Sequence, residues 1–145
     1  MASEQTNQPH GTGETSGSPQ RAPQQLRGQL LAFDLAAEVG QLRAELAYQE
    51  GDRNANTLLK EPNARVVLTA LRQGAHLQEH QTAGWVVIQT ISGRVRLQAL
   101  GQTVDLPTGH LVTLEPSVAH EVEALEDSVF LLTLAWVGPE GAHPA

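Results

Sequence analysis

The sequence predicts an all-β sandwich or barrel of short antiparallel strands, with a helical extension ahead of it. Three observations predict it. From Arg65 onward, strand-like segments recur at short intervals, separated by turns carrying Gly, Pro, Ser or Asp. Within them, Arg94-Val95-Arg96-Leu97 alternates charged and apolar residues, the period of a strand with one wet face. Ahead of them, Leu35, Val39, Leu42 and Leu46 fall four, three and four apart, which is one face of a helix.

Taken in order, residues 1–25 are Gly, Ser, Thr, Pro and Gln with almost no aliphatic side chains. They cannot bury enough apolar surface to offset the entropy of ordering, and they read as a disordered tail that holds His10. Residues 26–63 read as a helical extension. Leu30 to Phe33 is a short strand or the lead-in to the helix. Asp34 suits the N-cap, because its carboxylate can accept a free backbone N–H. Gly51 suits the stop, in the left-handed conformation common after helices. Gly40 inside the helix costs about 1 kcal/mol relative to Ala. A lone amphipathic helix must dock on the β domain or on a partner. Gly51 to Asn56 reads as a turn-rich loop, and Thr57 to Lys60 leads toward the sheet.

Residues 64–137 form the predicted barrel. Its strands are expected at 65–71, 75–80, 85–91, 94–100, 103–106, 110–114, 120–124 and 128–136. Glu121 and Glu123 alternate with Val122 and read as a solvated strand face. Residues 138–145 lose the pattern and read as a loose C-terminal tail containing His143.

Composition narrows the function. The chain of 145 residues suits one domain with a real core. No apolar run reaches membrane-spanning length, and no secretory signal pattern opens the chain. The absence of cysteine excludes disulfides, thiolate metal sites and cysteine nucleophiles, and fits a reducing, cytoplasmic setting. Nine basic against 16 acidic residues leave a formal charge of −7, without the footprint of a nucleic-acid binder. Aromatic residues at 3 % offer no base-stacking platform. There is no P-loop, dinucleotide fingerprint or nucleophile elbow.

Two stretches carry a family likeness: GAHLQEHQTAGWVVIQTISG, from Gly74 to Gly93, and GHLVTLEPSVAHEVEA, from Gly109 to Ala124. Together they resemble the two motifs of a cupin, a jelly-roll superfamily. The first cupin motif runs Gly, five residues, His-x-His, a Glu a few residues on, then six residues and Gly. Here Gly74 and His80 keep their places, Thr82 stands at the second histidine and Val86 at the glutamate. The second motif reads Gly-Asp, an apolar strand, then Pro-Gly-x-Pro-His. Here it reads Gly109-His110, LVTLE, and Pro116-Ser117-Val118-Ala119-His120. The likeness covers about Arg65 to Trp136. It implies a cupin-type jelly-roll barrel, and the stretch before it is similar to the N-terminal extensions of some bacterial cupins of unassigned function.

The resemblance also implies a site. In cupins, three histidines and a carboxylate hold a metal with positions left open for substrate. This chain keeps His80 and His120, replaces the carboxylate by Val86, and offers at Thr82 a weak neutral oxygen. Strict alternation would put His76, Gln78, His80 and Thr82 on one face. His76 would still lie about 13 Å from His80 at ~3.3 Å per residue. The expected pocket is therefore His80, Thr82, Val86 and His120, with His80 and His120 as the candidate ligands of a weakly bound divalent transition metal. The two histidines are also candidates for hydrogen bonding to each other, to Thr82 or to water. Val86, Ile88, Val95 and Leu97 are expected to line the barrel and could fill it. His110 reads as a surface turn residue, Trp136 as packing, and Trp85 as a pocket wall or an outer-face residue.

Superfamily members include dioxygenases, isomerases, decarboxylases, storage proteins and sensory modules, so fold does not choose the function. The first reading is a small-molecule-binding cupin without a tightly held catalytic metal. The alternative is a metal-dependent oxygenase or isomerase using His80 and His120. A third is a regulatory module whose helix contacts a partner. A homodimer is expected from the apolar helix face and from the way small cupins pair.

Overall fold

The computed structural model of the protein describes residues 25–136. The tails read over 1–25 and 138–145 lie outside these residues, apart from Gln25. Two helices, α1 (Leu35–Ala44) and α2 (Leu46–Glu50), precede nine strands. The strands are β1 (Arg53–Glu61), β2 (Ala64–Leu71), β3 (His76–His80), β4 (Trp85–Ser92), β5 (Arg94–Ala99), β6 (Gln102–Pro107), β7 (Leu111–Leu114), β8 (His120–Ala124) and β9 (Ser128–Ala135). All pairings are antiparallel, in a five-stranded sheet ordered β1-β2-β9-β4-β7 and a four-stranded sheet ordered β3-β8-β5-β6. This is the jelly-roll barrel that the sequence predicts.

Alternation along the strands divides the apolar residues between two cores. Val86 and Ile88 of β4, Val95 and Leu97 of β5, Val122 and Ala124 of β8 and Phe130 of β9 fill the space between the sheets. The four residues expected to line the barrel are all in this packed core. Leu68 and Ala70 of β2 and Val129 of β9 point the other way and are covered by Leu42 and Tyr48 from the helices. At roughly 25 cal/mol per Å² of apolar surface buried, each such Val, Leu, Ile or Phe contributes on the order of 1.5–3 kcal/mol.

The helical segment departs from the sequence reading in two ways. Asp34 caps α1 as expected, its carboxylate accepting from the Ala37 N–H at 3.2 Å. The helix then breaks at Glu45, whose backbone is extended at φ −84° and ψ 155°. Leu46 consequently leaves the packed face and is exposed, while Tyr48 is buried in its place. Gly51 ends α2, but at φ −118° rather than in the left-handed region. Space is what requires glycine there, since a Cβ would sit 2.6 Å from the Ala47 carbonyl oxygen.

Of the loop expected over Gly51 to Asn56, only Gly51 and Asp52 form a bend; from Arg53 on it is the start of β1, so sheet structure begins 11 residues before residue 64. The physical reason is a set of tertiary contacts. Asn54 is buried and donates to the Leu42 carbonyl at 3.0 Å and to the Glu45 carboxylate at 2.8 Å. Asn56 is also buried and donates to the Glu38 carboxylate at 2.9 Å. Two residue types that favour turns are thereby held in a strand, because their amides dock the helix. Leu30 to Phe33 adopts neither helix nor strand. Among the described residues, no helix is long and apolar enough to cross a membrane.

Candidate functional site

The site forms where β3 meets β8. Regular antiparallel pairing matches His76 with Glu123 and Leu77 with Val122, but the next match is His80 with His120. One extra residue therefore lies on β3, which makes a β-bulge. In unbroken register Glu79 would oppose His120. The bulge puts His80 there instead, on the same side as Leu77. The two imidazoles meet with ring centroids 4.4 Å apart and planes inclined at 56°.

Each ring is fixed by its own strand. His80 Nδ1 lies 3.1 Å from the Gln78 carbonyl, inside the bulge, and His120 Nδ1 lies 3.0 Å from the Val118 carbonyl. A carbonyl only accepts, so each Nδ1 carries a proton, and in the neutral ring the lone pair is on Nε2. His120 is 3 % exposed, whereas His80 is on the surface. The pair thus spans from barrel interior to solvent. Burial holds the His120 pKa below its ordinary value of 6.5, the Val118 carbonyl opposes that shift, and the nearby His80 adds to it.

The other expected pocket residues are placed differently. Val86 is 2 % exposed and sits in the apolar core, between Leu134 and Leu114. The Thr82 hydroxyl is engaged in its own turn, donating to the Gly84 carbonyl at 3.1 Å and accepting from the Gly84 N–H at 3.3 Å. Neither the expected bond between the histidines nor one to Thr82 forms. The expectation that His76 shares a face with His80 also fails, because the bulge breaks the period of two. His76 lies on the outer face, its Nε2 2.8 Å from a Glu121 carboxylate oxygen. Among the described residues, no group of three or more His, Asp or Glu side chains could hold a metal ion. The donor set does not fit a tightly bound transition metal, for it supplies two imidazoles and no carboxylate.

His110 is an exposed turn residue, as expected. Trp85 stands on the outer face of β4, 44 % exposed, and is not a wall of the barrel. Trp136 is buried at the end of β9. Sequence reasoning missed Arg65. Its parity on β2 matches Leu71, which lies in the barrel core, and its guanidinium carbon sits 5.4 Å from the centre of a Trp136 ring. The signal was present in Arg65-Val66-Val67-Leu68-Thr69-Ala70-Leu71, where alternation puts Arg65 and Leu71 on one face. Two concavities lie elsewhere, one of about 250 Å³ by the β5–β6 turn and one of about 480 Å³ by Phe33, Leu58 and Leu131. Neither is lined by His80 or His120.

Comparison with known proteins gives the fold a family. Residues 63–143 match the family model described as the AraC-like ligand binding domain. No curated protein matches the chain. A conserved protein of unknown function from Streptococcus pyogenes is similar in structure, with a TM-score of 0.61, 16% identity, and coverage of 81% of this chain and 95% of that one. A cupin superfamily protein from Desulfitobacterium hafniense gives a TM-score of 0.56 at 13% identity, covering 57% of this chain and 76% of that one. Salicylate 1,2-dioxygenase from Pseudoaminobacter salicylatoxidans, in a structure with gentisate, gives 0.64 at 17% identity, covering 71% of this chain but 32% of the enzyme. At these identities the likeness is one of fold.

Proposed function

The chain belongs to the AraC-like ligand-binding domain family, and from that premise we propose that its barrel end binds a small molecule at His80 and His120 without a tightly held catalytic metal. The observation that carries this reading is the pair itself. Two imidazoles with centroids 4.4 Å apart, each with Nδ1 held by a carbonyl of its own strand, keep Nε2 for a ligand beside an apolar core. Such a pair accepts hydrogen bonds from a hydroxyl or amide and gives an apolar ligand a fixed orientation. The core-buried Val86 and the self-satisfied Thr82 support the absence of a third and fourth metal ligand.

The same lock on both Nδ1 atoms favours the alternative, a metal-dependent oxygenase or isomerase, because it is how metal-bound histidines are held. Elemental analysis of untagged protein incubated with Fe, Mn, Ni and Zn separates the two. Substoichiometric metal, unchanged in His80→Ala, agrees with the binding reading. One metal per chain that disappears in His80→Ala overturns it in favour of the enzyme. A homodimer through the outer face of the five-stranded sheet belongs to the same proposal, motivated by the exposed Trp85 and Leu111 on neighbouring strands.

A further inference from the structure

The barrel end that carries the histidines also carries a second, cationic feature. Register across the five-stranded sheet aligns Arg65 with Leu134, Leu134 with Val86, and Val86 with Leu114. The segment from His80 to Trp85 joins β3 to β4 at this end, and the segment from Leu114 to His120 joins β7 to β8 there. The Arg65 row and the His80–His120 pair therefore close the same end of the jelly roll from opposite sheets.

At that end two adjacent N–H donors lack an acceptor. Arg65 Nε and Trp136 Nε1 are both sealed from solvent and make no hydrogen bond. Trp136 is 9 % exposed, and Arg65 stacks over its ring at 5.4 Å. Among the described residues Arg65 has no carboxylate partner. The chain also holds Trp136 tightly against Gly84, where a Cβ would come within 3.1 Å of the indole and 2.6 Å of the Ala135 carbonyl. A buried donor left unmade is costly, and native structures almost always satisfy such groups. Arg65 as a whole remains half-buried, and a carboxylate reaches its sealed Nε and the indole N–H once the side chains over them shift.

We propose that Arg65 and Trp136 form an anion subsite that receives the carboxylate of a small, otherwise apolar ligand. The proposal rests on the binding reading given above and names the ligand class. A guanidinium meets a carboxylate through two parallel N–H bonds, and the indole N–H adds a third donor that carries no charge of its own. The apolar body of the ligand lies across the barrel end, over the packed core, and its far end faces the His80–His120 pair. An acidic chain with a formal charge of −7 repels anions in general, so a single cation beside an aromatic ring selects by local geometry rather than by long-range attraction.

The test uses the full chain with Trp85→Phe, which leaves Trp136 as its one tryptophan. Hexanoate and 1-hexanol are titrated into it up to tens of millimolar, and Trp136 emission and thermal melting are followed. Hexanoate is expected to change the emission saturably and to raise the melting temperature, with hexanol far weaker. Arg65→Gln is expected to weaken hexanoate by roughly tenfold or more, and Arg65→Lys, which keeps the charge and loses the fork, by less. Equal binding of hexanoate and hexanol, unchanged in Arg65→Gln, overturns the anion subsite while leaving the barrel reading intact. No saturable response to either probe also overturns it, and the metal and His80→Ala experiments then judge the barrel reading separately.

Discussion

Strand β8 has two neighbours, and they treat it differently. Against β5 its register is unbroken, from Val95–Ala124 through Leu97–Val122 to Ala99–His120. Against β3 the register slips by one residue before His80 reaches His120. The inward pairs Val95–Ala124 and Leu97–Val122 of the regular side are apolar and buried in the barrel, and they contribute stability. The bulged side places an exposed imidazole beside a buried one, and it holds the pair proposed to bind a ligand. A single strand thus carries both, because a bulge can re-aim one side chain without disturbing the ladder on the strand's other edge.

The largest expected effect lies on the regular side. Leu97 is 1 % exposed and packs within the barrel core. Leu97→Ala is expected to destabilise the fold by about 2–5 kcal/mol, the range for truncating a buried leucine to alanine. Urea unfolding with an unchanged slope measures it. His80→Ala on the bulged side, at the surface, is expected to cost clearly less. Equal losses for the two variants would break the division between a stabilising and a chemical edge.

A smaller effect, visible only through pH, belongs to the bulged side. Burial lowers the folded pKa of His120 below 6.5, so as pH falls beneath that value the unfolded chain takes up a proton before the folded chain does. The stability due to burying a neutral ring is complete above about pH 6.5 and is lost as pH drops through the folded value. Chemical unfolding at about pH 7.5 and about pH 5 is expected to show a larger acid loss for the parent than for His120→Leu. The same acid loss in the variant would remove His120 as its source.

How far the sequence reveals this arrangement depends on whether contacts are local. The strands from β2 to β9 are legible because alternation and turn residues are local signals, and each expected segment falls within a residue or two of its strand. Strand β1 is not legible. Asn54 and Asn56 read as turn residues until Leu42, Glu45 and Glu38 supply hydrogen-bond partners from a separate helix. The meeting of His80 and His120 follows from the motif spacing, yet the bulge that produces it leaves no mark in the residue pattern. That is why His76 is expected on the same face as His80 and is found on the other face. Arg65 was legible by parity alone, but its Trp136 partner comes from the far end of the barrel sequence.

The smallest expected effect sharpens the comparison most directly, because it concerns the residue that strict alternation would misplace. His76 pairs with Glu121 at 2.8 Å on the outer face, with the two side chains 49 % and 31 % exposed. Solvent screens such a pair, and holding both side chains in place costs entropy, so His76→Ala is expected to change stability by less than about 1 kcal/mol. It is also expected to leave ligand or metal behaviour at His80 and His120 unchanged, since the backbone bulge, not the His76 ring, sets the orientation of His80. Two-dimensional NMR of the histidine side chains can follow both points in one sample. Movement of the His80 and His120 ring signals in His76→Ala would mean that the outer face communicates with the barrel end through β3. Unmoved signals would mean that the bulge isolates one face of the strand from the other, and that the proposed binding role is confined to the inner one.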